Sequence, residues 1–375
     1  MMMKRLNEIL FMMSALLAAA CGGQEDEPQV EEMKQPVAVS FSATTPAGME
    51  GVTRTAAGSI TGNAGLQGVS LGVFAALHGV HTYDSSNVSA DFMWNQLVSY
   101  DDGSDAWTYS PLKTWPAGDG TWEGRPYLTF YAYAPYSQAN GADKASKCIT
   151  EFSGNNEQGD PWLTYQLGGT KADWKDHQVD LLYAFTKDQR NEGPYARVQF
   201  TFRHALATAG DKVTLTCGDL LKTRMATIAK AKAKELKLFI DSMTLSYSLV
   251  PKARLVLNSA DSPNWQPINS GDATVERTVT VEPASPFQVA SFTPPESYVQ
   301  GDTSFTTDQG IFYIPIDVDG MEQTVRITIG YRVTLDGANY YSGSLSTTGT
   351  LTGQGMAGLS QGIRLNLGDN LPLFY

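Results

Sequence analysis

The chain has 375 residues, with 39 acidic against 27 basic side chains and a formal net charge of −12. This balance argues against nucleic acid or an anionic lipid surface as the partner, since both reward a basic stripe. At one domain per ~100–200 residues, the length suggests two or three domains, each able to bury an ordinary core.

The first element is a targeting segment. Lys4 and Arg5 form a charged region, Ile9 to Leu17 an apolar one, and Ala18-Ala19-Ala20 a small-residue cleavage site. Cys21 follows at once. The order resembles a bacterial lipoprotein signal, in which residues 1–20 are removed and the Cys21 thiol is acylated as the new N-terminus. Each buried acyl methylene contributes ~0.8 kcal/mol, enough for two or three chains to hold a protein on its membrane. The apolar run is shorter than the ~20 residues a spanning helix needs. Residues 21–36 lack apolar periodicity, are rich in Glu, and read as an acidic tether.

Beyond the tether the patterning is that of strands. Val37/Val39/Phe41, Leu71/Val73, Val198/Phe200/Phe202, Val213/Leu215/Cys217, Phe312/Ile314/Ile316/Val318 and Val325 to Leu335 alternate apolar with polar residues. Turn-forming runs such as Asp101-Asp102-Gly103-Ser104 and Ser153-Gly154-Asn155-Asn156 separate them. Many short strands at this spacing predict antiparallel β-sandwiches rather than a parallel α/β sheet. The Ala- and Lys-rich stretch from Leu220 to Leu238 predicts the one convincing helix, its basic residues on a solvated face. The polar run from Thr186 to Pro194 is expected to link two sandwiches, one over 37–187 and one over 195–375. Cys148 and Cys217 fall on either side of that link and are expected to stay unpaired.

The motifs that suggest enzyme chemistry fail on context. Gly358-Leu359-Ser360-Gln361-Gly362 fits a nucleophile elbow, yet no histidine follows it in the chain. Gly353 to Gly358 spells a dinucleotide fingerprint with no βαβ unit around it. His78, His81 and Asp84 offer three metal ligands in a turn with no fourth nearby, so a polar loop is expected there. His204 shares a face with Phe200 and Phe202 and is expected to be buried and hydrogen-bonded. No catalytic residue, metal site or cofactor is assigned. Trp94, Trp107, Trp115 and Trp122 crowd one segment. Three of these four indoles exposed on one face would indicate glycan binding, and otherwise they are core.

Taken in order, several blocks carry a family resemblance. Val39-Ser40-Phe41-Ser42-Ala43 with Thr53-Arg54-Thr55 comes first, followed by Phe92-Met93-Trp94-Asn95-Gln96 and Trp107-Thr108-Tyr109-Ser110-Pro111. Lys113-Thr114-Trp115-Pro116 and Leu128-Thr129-Phe130-Tyr131-Ala132-Tyr133-Ala134-Pro135 come next. Asp180-Leu181-Leu182-Tyr183-Ala184 and Phe200-Thr201-Phe202-Arg203-His204-Ala205-Leu206-Ala207 complete the series. These blocks resemble the fimbrillin family, the FimA/Mfa-like surface lipoproteins of Bacteroidia, over the chain up to about residue 210. The resemblance implies a mainly β fold of two tandem transthyretin-like sandwich domains, with the one short helix in the second. It implies a fimbrial (pilus) subunit or fimbria-associated adhesin on the outer membrane, with other fimbrial subunits as partners. Assembly in this family is by strand exchange. A protease would cut after Arg54, the segment 37–54 with its plugs Val37, Val39 and Phe41 would leave, and a neighbour's strand would fill the groove. The candidate donor is Ile363, Leu365 and Leu367 with the apolar tail at Leu371 and Leu373. A non-fimbrial glycan-binding surface lipoprotein is the alternative.

Overall fold

Period-2 patterning becomes strand wherever a buried face awaits it. A computed structural model describes residues 36–46, 56, 58–117, 121, 124–193, 197–268, 273–281, 287–294, 297–301, 304–306, 310–353 and 355–368. Cys21, Arg54, Trp122, Leu371 and Leu373 therefore lie outside the described residues, as do the leader and nearly all of the tether. Residues from Val37 onward make one compact unit. No helix among the described residues is long and apolar enough to cross a membrane.

The fold is mainly β. In chain order the elements are β1 (Ser40–Thr44), α1 (Gly62–Gln67), β2 (Leu71–Leu77), β3 (Met93–Asp101), β4 (Ala106–Thr108), β5 (Leu128–Ala134), α2 (Lys144–Cys148), β6 (Ile149–Phe152), β7 (Trp162–Gln166), β8 (Leu182–Gln189), β9 (Arg197–Thr201) and β10 (Arg203–His204). They continue with β11 (Ala207–Cys217), α3 (Asp219–Lys232), β12 (Leu236–Leu249), β13 (Lys252–Val256), β14 (Asn264–Pro267), β15 (Val275–Val281), β16 (Phe287–Thr293), β17 (Ser297–Gln300), β18 (Ser304–Thr306), β19 (Ile311–Tyr313), β20 (Thr324–Leu335), β21 (Ala338–Thr350) and β22 (Ser360–Leu367).

Eight strands form the first sheet in the order β10-β8-β5-β2-β3-β4-β1-β9. Its core gathers Val39, Phe41, Val73, Val98, Phe130, Val198 and Phe200. In the C-terminal half, β11 with β18, β19 and β22 faces a six-stranded sheet, β17-β16-β12-β20-β21 with β15 on β12, across a shared core. Between these lies a four-stranded sheet, β14-β13-β7-β6. Its core mixes Cys148, Leu163 and Tyr165 with Leu255, Phe312 and Ile314, so both halves of the chain contribute to it.

The polar run read as an inter-domain link instead joins β8 to β9, and both belong to the first sheet. Polar turn residues mark a connection within a sheet as readily as a passage between sandwiches. The chain changes sheets after His204, where β10 ends and β11 begins.

α3 buries Leu221, Met225 and Ala229, one stripe at i, i+4 and i+8. It stops at Ala233, whose φ of 52° is left-handed, earlier than the Leu238 expected from composition. From Leu236 the pattern changes to alternation, with Leu236, Leu238 and Ile240 all buried in β12. Burial on a strand there outweighs the helix propensity of the Ala-Lys repeat. Two short helices, α1 and α2, precede the expected one, and at six and five residues they leave no periodic signature. β12 keeps its face by a bulge. The register shifts between Ile240 and Ser242, and burial resumes at Met243, Leu245, Tyr247 and Leu249.

Candidate strand-exchange site

The first strand is held along both edges. β1 pairs in parallel with β9, from Ser40 opposite Arg197 to Thr44 opposite Thr201. On its other edge Phe41 is the antiparallel partner of Trp107 in β4. The contact continues toward the N-terminus, where the Val39 amide donates to the Lys113 carbonyl at 2.9 Å and the Trp115 amide to the Val37 carbonyl at 2.9 Å. The Tyr109 hydroxyl donates to the Val39 carbonyl at 2.9 Å, and burial raises that phenol above its usual range, so it remains a donor. At the far end the Phe202 amide reaches the Thr44 carbonyl at 2.8 Å.

Alternation puts Val37, Val39 and Phe41 on one face. Val39 and Phe41 are buried, while Val37 sits half-buried at the rim. The Phe41 ring stacks on Phe200 at 5.5 Å and meets Phe130 edge-on at 5.8 Å and Tyr109 at 5.4 Å. Burying side chains of this size stabilises by about 1.5–3 kcal/mol each. Taking β1 away would expose two unpaired edges and an apolar floor, which is a template for another strand. Arg54 and the rest of 47–55 lie outside the described residues.

The candidate donor residues are part of the fold. Ile363, Leu365 and Leu367 lie on β22, parallel to β11 from Thr208 opposite Ser360 to Cys217 opposite Leu367. Ile363 and Leu367 are buried in the C-terminal core and Leu365 packs against it. Among the described residues β22 pairs with β11 alone, so it is an edge strand.

The other sequence candidates resolve into packing and turns. Trp107 and Trp115 are buried, at 8% and 6% exposure, so three of the four indoles cannot share an exposed face. Trp94 is 40% exposed, but its indole N–H donates to the Ser153 carbonyl and its ring packs edge-on against Phe74 and Phe152. His78 stacks on Tyr127 and places its Nε2 3.0 Å from the Thr129 hydroxyl. His204 is buried with Nδ1 2.9 Å from Asp180 Oδ2. The Gly358–Gly362 motif is the turn that opens β22, not a strand-turn-helix, and the Ser360 hydroxyl bonds the Asp211 carboxylate. Cys148 and Cys217 are both free and buried, in different core clusters.

Sequence reasoning found the plugs and missed their neighbours. Nothing in the patterning pairs β1 with β9, more than a hundred residues later, because alternation marks a strand without naming its partner. The Tyr109 hydroxyl that ties β1 to the 109–115 segment is equally silent in sequence.

An N-terminal strand clasped from both sides within a β-sandwich defines the class, and the comparisons supply the family. Residues 53–370 match the fimbrillin-like family, to which the chain belongs. Fimbrium subunit Fim1C of Phocaeicola vulgatus is 30% identical over 206 residues, which are 53% of this chain and 49% of that protein. The match thus spans about half the length of that curated relative. A crystal structure of a fimbrial protein from Bacteroides vulgatus superposes with a TM-score of 0.56 at 20% identity, covering 88% of this chain and 95% of that one, a likeness of fold.

Proposed function

We propose that this protein is a subunit of a surface fimbria, joined to other subunits by replacement of its first strand. The observation that carries this reading is the placement of β1. It is the first described strand, it is hydrogen-bonded on both edges, and its plugs Val39 and Phe41 are buried in the core of the first sheet. Cleavage after Arg54 would free residues 37–54, and an incoming strand would inherit both ladders. Membership of the fimbrillin-like family supports assembly with other fimbrial subunits.

Acylation of Cys21 would hold the chain at the outer membrane, with the acidic tether lifting the folded part off the lipid. The candidate donor is β22 with the tail after it. Among the described residues β22 pairs with β11 alone, so its release would give up that ladder and the burial of Ile363 and Leu367. The glycan-binding alternative loses its main support with Trp107 and Trp115 in the core.

The test is the N-terminus of the protein recovered from purified surface fibres. Chains beginning at Thr55 are expected. Fibre-incorporated chains that all begin at Cys21 would refute strand replacement after this arginine.

A further inference from the structure

One polar group beside the first strand has no partner. The Trp115 indole is buried in the core of the first sheet, 6% exposed, and its Nε1–H finds no hydrogen-bond acceptor among the described residues. The Trp94 and Trp265 indoles, by contrast, each donate to a backbone carbonyl. Buried donors in folded proteins are nearly always paired, and leaving one unmet costs more than a made hydrogen bond returns.

The register shows what lies against this indole. Ala38 and Thr114 form an antiparallel bridge, flanked by the bonds from the Trp115 amide to the Val37 carbonyl and from the Val39 amide to the Lys113 carbonyl. Val37 therefore stands directly opposite Trp115, and opposed residues of an antiparallel pair share a face with Cβ atoms ~4.5–5.5 Å apart. Both belong to the first-sheet core, Trp115 within it and Val37 packed against it. The Trp115 ring meets Phe130 edge-on at 6.1 Å, and Phe130 in turn meets Phe41. The unpaired N–H is thus carried by a side chain that lies along the resident strand. That strand cannot answer it, because Val37, Val39 and Phe41 have no side-chain acceptor.

We propose that Trp115 is a specificity residue of the groove. It selects a donor strand with a hydrogen-bond acceptor, Ser, Thr, Asn or Gln, at the place Val37 holds, and apolar residues at the places of Val39 and Phe41. This rests on the strand-replacement reading and names the chemistry of the partner strand. Val37 is half-buried at the rim, so an acceptor there keeps its remaining polar atoms in water while one oxygen takes the indole N–H. The resident strand leaves that bond unmade and a matching donor makes it, a difference that the backbone ladders, broken and formed alike, do not supply.

Two synthetic peptides copying residues 35–45, the parent and one with Val37→Thr, test this on the Arg54-cleaved chain in competition with its own first strand. Binding is followed by the fluorescence anisotropy of a label at the peptide's C-terminus. The Thr peptide is expected to bind about tenfold tighter, or ~1.4 kcal/mol. Trp115→Phe, which keeps a ring and removes the N–H, is expected to abolish the difference. In the uncleaved chain, Val37→Thr is expected to move the Trp115 indole proton resonance downfield and slow its exchange with solvent, leaving the Trp94 indole unchanged. Equal affinities in the parent chain, as an ordered water already bonded to the indole would produce, would overturn the proposal and leave strand replacement standing. A preference for Thr that persists in Trp115→Phe would overturn it too. Binding of neither peptide would remove strand replacement itself, and the proposal with it. Should Trp115→Phe fail to fold, the two affinities in the parent chain and the indole exchange of uncleaved Val37→Thr decide.

Discussion

Phe41→Ala probes how firmly the first strand is held. The Phe41 ring is 3% exposed and lies among Phe200, Tyr109 and Phe130 at 5.4–5.8 Å between centroids. Truncating a buried Phe to Ala costs about 3–5 kcal/mol, from lost transfer energy and the cavity left behind. Three aromatic partners place this site in the upper half of that range, since each such pair contributes about 0.5–1.5 kcal/mol beyond area. A loss near 4 kcal/mol is roughly a thousandfold in the folding equilibrium. Ser42→Ala, one residue on and facing away from the core, is the control, expected within about 0.5 kcal/mol of the parent.

Urea titration followed by tryptophan emission measures both. Trp107 and Trp115 lie in the same core cluster as Phe41, so their emission reports this region. Native-state exchange adds where the loss falls. Amides of β9 and of 113–115, which clasp β1, should lose protection before those of β12. A cost under 1 kcal/mol, or one equal to that of Ser42→Ala, would show that the plug carries little of the stability and would refute the argument.

Cys21→Ala should release the protein from the membrane fraction into the aqueous phase of a detergent partition; retention at parental levels would refute acylation there. Burial pushes the Cys148 thiol from 9.0 up to about 11, so at pH 8 only about a thousandth of it is thiolate. Ellman's reagent should therefore leave Cys148 unmodified in the native chain and label it in denaturant, and fast labelling of the native protein would contradict the packing. Burial likewise raises the phenols of Tyr131, Tyr133, Tyr165 and Tyr247 above 10.0. The unfolded chain ionises these groups from about pH 9–10 while the folded chain keeps its protons, so the stability they contribute is full below pH 9 and falls as pH rises through 11. A urea midpoint equal at pH 7.5 and 10.5 would refute this.

Strand existence was legible in the sequence where one face of a strand is buried and the other is wet. β20 is the clearest case, with Val325, Ile327, Ile329, Tyr331 and Val333 buried in strict alternation. β2 and β5 are buried on nearly every residue, so alternation fades and only β-rich apolar runs remain. Sheet membership was not legible. β13, at 252–256, pairs with β7, at 162–166, and so ties the second half of the chain into the first. Alternation fixes a face, while the partner is chosen by which distant faces fit, a property no local window contains. The plugs Val39 and Phe41 were readable for the same reason as β20, whereas the clasp around them depends on β4, β9 and the 113–115 segment meeting in space.

Two pairings in the described chain are parallel, β1 with β9 and β22 with β11, and they involve the first and last described strands. Their situations differ in a way that bears on exchange. β1 is paired on both edges, by β9 and β4, whereas among the described residues β22 is paired with β11 alone, over seven register pairs. In a replacement the hydrogen bonds broken and formed are of the same kind and nearly cancel, and at ~1 kcal/mol net each they cannot set the direction. Side-chain fit decides part of it. Ile363, Leu365 and Leu367 repeat the spacing of Val37, Val39 and Phe41, but a Leu in the place of Phe41 leaves a gap among three aromatic rings, and such cavities are destabilising. A donor of this sequence would therefore fill this chain's own groove poorly. Under the proposed mechanism that mismatch favours a different subunit as the donor to this groove, and mixing the Arg54-cleaved chain with itself and with other fimbrial subunits distinguishes the two. Ladders formed with itself at the same rate as with other subunits would refute the mismatch.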